Sequence, residues 1–208
     1  PSGATDHIIY EPVKDFDSTQ KIAFYRALHT AGLPGATPLR RALSDAGKYY
    51  ARRFTDTAKN QKNDPMQYAC QRNFALLTTD GYWNGASGKS LENADIAELA
   101  SVADHYYQSD LRTDDPNTCT SWDTGKDVCT NILSPVGKDD AKHQHLTTFS
   151  IGMGVSGSVP LTNDEEVIKN IAWPTPEADK PTAVDDLWHA AIKGRGQYYS
   201  AQNAEQLT

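Results

Sequence analysis

Asp80 follows a short apolar run, Phe74 to Thr79, and stands immediately before Gly81. The carboxyl end of a strand in an open α/β sheet is where ligands bind, and a carboxylate there suits a hard divalent cation. Asp-Gly is equally a turn former, so both readings stand on the residues alone. Thr37 precedes Pro38 and so matches a helix N-cap followed by proline in the first turn. His143 and His145 are spaced i, i+2, which on a strand places both imidazoles on one face and would suit zinc if a third ligand lay near. Nothing close in sequence completes such a site, and a pair at a strand entrance also reads as surface or hydrogen-bonding histidines. A metal-assisted hydrolase using Asp80 with His143 and His145 is the enzymatic alternative, and it requires the three to converge on one open metal position. His189, between Trp188 and Ala190, reads as packed rather than catalytic.

Cys119 and Cys129 enclose nine residues of a polar segment. Free cysteines prefer burial, so a pair set among Asp, Asn, Thr and Gly suits a disulfide and an oxidising compartment. Cys70 stands apart, either as a buried thiol or as the partner of a cysteine upstream of Pro1. No Gly-x-Ser-x-Gly, His-Glu-x-x-His or Gly-x-x-x-x-Gly-Lys stretch is present, which deprives hydrolase, metalloprotease and nucleotide-binding readings of their usual residues. Gly152, Gly154 and Gly157 have dinucleotide spacing, but no helix follows them to hold a pyrophosphate, so that reading is discounted.

These residues need elements to position them. Residues 1 to 16 read as an extended lead-in. Asp17 or Ser18 caps a helix carrying Ile22, Tyr25, Ala27, Leu28 and Ala31, stopped by Gly32. A second helix runs from about 38 to 54, with Leu39, Ala42, Leu43, Ala46, Tyr49, Tyr50 and Phe54 on one stripe. Phe74 to Thr79 reads as a strand buried on both faces, followed by a helix from about 93 to 107. Leu146 to Val155 is a second strand, Asp164 to Ala172 a short helix, Val184 to Ile192 a longer one, and Gln197 to Ala201 a third strand, with a helix start near Ala204. Two polar excursions interrupt the pattern, at about 55–69 and 109–143. The alternation predicts an α/β fold, a parallel sheet with helices on both faces whose strands lie side by side in chain order. Three strands are few for that class, so the N-terminal strands look absent. The aromatic doublets Tyr49-Tyr50, Tyr106-Tyr107 and Tyr198-Tyr199 are expected to straddle the core, one ring in and one out. An exposed Tyr82 or Trp83 beside Asp80 would be a partner contact.

The chain has 208 residues, 20 Lys plus Arg against 27 Asp plus Glu, and a net charge of −7. That balance offers no basic field for nucleic acid or an anionic membrane surface. No apolar stretch approaches the roughly 20 residues of a membrane span, and the opening residues, without a basic-then-apolar segment, are not expected to act as a signal peptide.

Four blocks in order resemble one family: Gly35-Ala36-Thr37-Pro38-Leu39-Arg40-Arg41-Ala42-Leu43; Cys70 through Asn84; Gln144 through Val155; and Asp185-Asp186-Leu187-Trp188-His189-Ala190-Ala191 leading into Gly194 through Ala201. Over residues 18 to 205 they resemble the von Willebrand A-like domain of the PilY-type proteins, tip-associated assembly factors and adhesins of bacterial type IV pili. The resemblance implies a Rossmann-like sheet with a metal-ion-dependent adhesion site, in which Thr37 and Asp80 match the later-loop threonine and the aspartate after the fourth strand. Its first element, Asp-x-Ser-x-Ser, is nowhere in the chain. The expectation is therefore a partial domain over 1–208, its N-terminal half missing, that binds Mg²⁺ or Ca²⁺ weakly or not at all. The resemblance further implies a secreted, non-enzymatic binding module at the periplasm, cell surface or pilus tip, active in the balance of pilus assembly and retraction and in adhesion. Its expected partners are minor pilins or other tip components and a host or surface ligand.

Overall fold

The computed structural model describes residues 15–30, 37–53, 64–84, 89–91, 94–95, 98–113 and 118–201. Residues 1–14 of the expected lead-in and the expected helix start near Ala204 lie outside them. Strands β1 (Asn73–Thr79), β4 (Leu146–Met153) and β5 (Arg195–Ala201) form one sheet in the order β1-β4-β5. Both pairings are parallel, with Asn73 beside Leu146, Thr79 beside Gly152 and Met153 beside Ala201. The α/β prediction and the strand order hold, because each strand is an apolar run separated from the next by a helical crossover. Among the described residues β1 is an edge strand. A short antiparallel hairpin, β2 (Lys89–Leu91) with β3 (Ala94–Asp95), stands where the helix was expected to begin.

Helices α2 (Leu39–Ala51), α3 (Leu99–Gln108) and α5 (Thr182–Lys193) pack on one face of this sheet. Leu43, Leu99, Val102, Tyr106, Leu187 and Ala190 meet Leu77 and Leu146, with Ala75 and Tyr198 partly buried against them. The other face carries Phe74 at 51% and Leu76 at 61% exposure, so β1 is not buried on both sides as its composition suggests. Among the described residues helices cover one face of the sheet, not both.

The buried stripe of α2 is Arg40, Leu43, Ser44, Gly47 and Ala51, rotated from the expected one, and Ala42 is exposed. The rotation follows from close approach: a Cβ at Gly47 would meet the Tyr106 ring, and Ser44 Oγ lies 3.5 Å from its hydroxyl. Small residues face an aromatic ring, and the larger apolar ones are displaced. Helix α1 (Ser18–Thr30) forms where expected, with Asp17 Oδ1 accepting from the Gln20 amide at 2.8 Å, yet it buries none of its residues. Asp164 likewise caps α4 (Glu165–Lys169). Helix α3 has no cap of its own: the Asp186 carboxylate of α5 accepts from the Leu99 amide at 2.8 Å and the Ala100 amide at 3.0 Å.

The polar excursions are not merely solvated. Asp64 and Met66 of the first, and Leu111, Arg112, Val128 and Leu133 of the second, are buried. Arg112 donates to Asp64, to Tyr50 O and to Thr118 O, while Arg52 donates a 3.5 Å ion pair to the same carboxylate and stacks 4.2 Å over the Trp122 ring. One charged cluster thus clamps both excursions to the end of α2.

Candidate functional site

Asp80 sits at the carboxyl end of β1, exposed, in a turn where Thr79 Oγ1 donates to Gly81 O at 2.9 Å. Among the described residues its carboxylate has no hydrogen-bond or ion-pair partner. Thr37 reaches the same connection through its backbone: its amide donates to Asn84 Oδ1 at 2.7 Å and its carbonyl accepts from the Asn84 amide at 3.3 Å. The expected N-cap role of Thr37 does not occur, since Pro38 occupies the cap of α2 and no side chain bonds there. Both oxygen functions are thus uncommitted, which is the chemistry a hard cation asks of its ligands. Two residues not singled out from the sequence brace the loops. Asn84 Nδ2 donates to Asp179 Oδ1 at 3.0 Å, and the Asp179 amide donates to Trp83 O at 3.1 Å, with Asp179 itself at φ 59. Asn84 closes the second resemblance block and was marked by it, whereas nothing in the sequence around Asp179 marks that residue.

Tyr82 is half-buried beside this turn. Trp83 is only 4% exposed, with the Arg40 guanidinium 4.0 Å above its ring, so it packs between loop and α2 and does not offer the surface contact expected of it.

The histidine pair lies at the opposite end of the sheet. Strands β1 and β4 are parallel, and His145 precedes Leu146, the partner of Asn73, whereas Asp80 follows Thr79 at the far end. Seven residues of strand lie between the two, a separation of about 26 Å. His145 is buried, its Nε2 2.9 Å from Asp139 Oδ1 and its Nδ1 2.7 Å from His143 O; His143 Nε2 lies 2.9 Å from Tyr107 O. These imidazoles tie the second excursion to the sheet, and the hydrolase built from Asp80, His143 and His145 is overturned by strand polarity. Among the described residues no three of His, Cys, Asp and Glu gather as a metal cluster would. The Gly152–Gly157 turn is also committed: Asp185 accepts from the Ser158 and Val159 amides, both at 3.0 Å, and a Cβ at Gly157 would strike it. His189 stacks on Trp173 with centroids 4.3 Å apart, and burial pushes its pKa down to about 4, so it stays neutral and packed, as expected. Tyr198 and Tyr199 divide between core and surface as predicted, but Tyr106 and Tyr107 are both buried because α3 is covered on two sides.

Cys119 and Cys129 form a disulfide. Cys70 is free and exposed rather than buried. The bridge closes a loop whose denatured-state entropy is worth about 2–3 kcal/mol. Non-reducing mass spectrometry should show both cysteines refractory to alkylation and Cys70 modified, with a loss of about 2–3 kcal/mol in the Cys119→Ser/Cys129→Ser chain. Alkylation of all three without reduction would contradict the bridge.

The chain aligns over nearly its whole length with the type IV pilus biogenesis factor PilY1 of Pseudomonas aeruginosa. Identity is 26% over 233 residues with strain PAK, covering 94% of this chain and 20% of the relative. With strain UCBPP-PA14 it is 29% over 232 residues, covering 92% and 19%. The chain is similar to PilY1-type sequences. It spans about one fifth of the length of these PilY1 relatives. No protein-family profile matches it, and no solved structure does. No helix among the described residues is long and apolar enough to cross a membrane.

Proposed function

We propose that this chain is a binding module of a type IV pilus-associated surface protein, carrying part of a metal-dependent adhesion-type site at the carboxyl end of its sheet. The carrying observation is alignment with PilY1 over more than nine-tenths of the chain. Support for the site comes from the uncommitted Asp80 carboxylate and from the Thr37 side chain left out of the α2 cap. When bound, Mg²⁺ or Ca²⁺ would supply a positive centre for a carboxylate of a ligand. Asp80 would contribute the anionic ligand and Thr37 a hydroxyl, while Asn84 and Asp179 hold the loops bearing them. A von Willebrand A-like role in pilus assembly, retraction and adhesion follows from the same reading, with minor pilins, other tip components or a host surface as partners and the periplasm or cell surface as location. The disulfide supports an oxidising compartment. Chemistry on a substrate forms no part of the proposal.

Calorimetric titration with Mg²⁺ should give weak binding, because one carboxylate and one hydroxyl leave most of a six-ligand shell to water. Asp80→Ala should abolish it, and in the full-length protein should reduce surface attachment of piliated cells. Submicromolar affinity that survives Asp80→Ala would refute the site.

A further inference from the structure

Among the described residues strand β5 is the edge of the sheet opposite β1. Its backbone is divided by the strand's alternation. Ala201 O accepts from the Gly154 amide at 2.8 Å, so Ala201 and Tyr199 turn their peptide groups toward β4, while those of Tyr198 and Ser200 turn away from it. The register shift in the β4–β5 pairing falls before Tyr198, which leaves this stretch regular. Among the described residues no backbone hydrogen bond reaches Tyr198 or Ser200 from outside the sheet.

A groove of about 630 Å³ runs along this edge. One wall is five consecutive residues, Gln197 to Ala201; the other is the loop Leu161 to Asn163. Consecutive strand residues point to alternate faces, so all five line a cavity only if it lies against the backbone edge. Five residues of strand measure about 16 Å along this groove, the length over which an added strand would lie beside β5.

Native edge strands are protected by lysine, proline, inward charge, a bulge or a covering loop. Gln197 to Ala201 contains no lysine, proline or charge, the irregularity of β5 lies before Tyr198, the loop Leu161 to Asn163 stands across a groove from the edge, and no residue lining that groove is charged. We infer that the β5 edge is a docking site for one extended, uncharged polypeptide segment of a partner protein, added as a fourth strand by main-chain hydrogen bonds to Tyr198 and Ser200. Alternate side chains of that segment meet Trp188 and Tyr198 on one face and Ile151 and Tyr199 on the other, so the recognised pattern is apolar or hydroxyl-bearing at each position. This site is separate from the metal ligands and does not depend on them.

The test is hydrogen exchange of the full chain, resolved to single residues, with a capped seven-residue peptide of alternating threonine and valine at millimolar concentration. The Tyr198 and Ser200 amides should slow roughly tenfold while that of Tyr199, already bonded within the sheet, is unchanged. Chelation of divalent cations should leave this protection intact. Ser200→Pro removes an outward amide that an edge strand can spare, so it should abolish protection of Tyr198 without lowering the melting temperature. If that chain does not fold, Gln197→Lys, at an exposed position, should abolish it by placing a charge in the slot. Equal protection of all three amides, none at all, or protection that appears without peptide and grows with protein concentration would each overturn the assignment.

Discussion

Replacing Asp64 with Ala is expected to cost about 3–5 kcal/mol, because it leaves two buried arginines without their shared counter-charge. Asp64 is 3% exposed, Arg112 0% and Arg52 9%. Besides both guanidiniums, the carboxylate accepts from the Met66 amide at 3.0 Å and the Trp122 amide at 3.3 Å. Burial pulls the pKa of Arg112 below its ordinary value and Asp64 opposes that pull, yet the guanidinium remains charged and must find a partner. Urea denaturation checks the prediction. Adding Arg112→Met to Asp64→Ala should recover part of the loss, since the second change removes the stranded charge. A loss under about 1 kcal/mol for Asp64→Ala would show that the clamp between the excursions does not hold the fold.

The second large effect is a pH dependence centred on Asp186. Burial raises its pKa from 3.8 to about 6, against the pull of the Leu99 and Ala100 amides. A carboxylate whose folded pKa lies above its unfolded one stabilises the fold fully below the unfolded value, and that contribution disappears as pH rises through the folded value. Between pH 4 and pH 6, Asp186 therefore makes the chain less stable as pH rises, by about 3 kcal/mol over the window. His189 works in the opposite sense. Its pKa falls from 6.5 to about 4, so its contribution is present above 6.5 and is lost as pH drops through 4. In the unaltered chain the two oppose one another and flatten the profile. Asp186→Asn should expose the histidine alone, so that the variant loses stability on acidification from pH 7 to pH 4.5 where the parent changes little. Parallel profiles of parent and variant, measured by urea unfolding, would sink this account.

Strand identity, strand order and parallel pairing were legible in the sequence, because each rests on a run of apolar residues and on the helix that must carry the chain back. So were a cap at Asp17 or Ser18, which Asp17 supplies, and the Cys119–Cys129 bridge, whose partners lie within ten residues of each other. The PilY1-type resemblance was carried by four blocks of residues and needed no geometry. Interactions spanning tens of residues left no such trace. Nothing local to Phe74, Leu76 and Leu77 says which of them faces the helices, for all three are equally apolar and the choice belongs to where α2, α3 and α5 pack. The Asp186 cap on α3 joins residues 87 and 86 apart, and the Arg112–Asp64 pair joins residues 48 apart. The carboxylate pair Asp80 and Asp186 shows the same division. Asp80 was marked by a strand end and a following glycine, whereas Asp186 looked like one more charge on an amphipathic helix until α3 brought its N-terminus against it. Periodicity within an element is written in neighbouring residues, while burial, capping between helices and the distance from Asp80 to His145 are properties of how the elements meet, which only the folded chain decides.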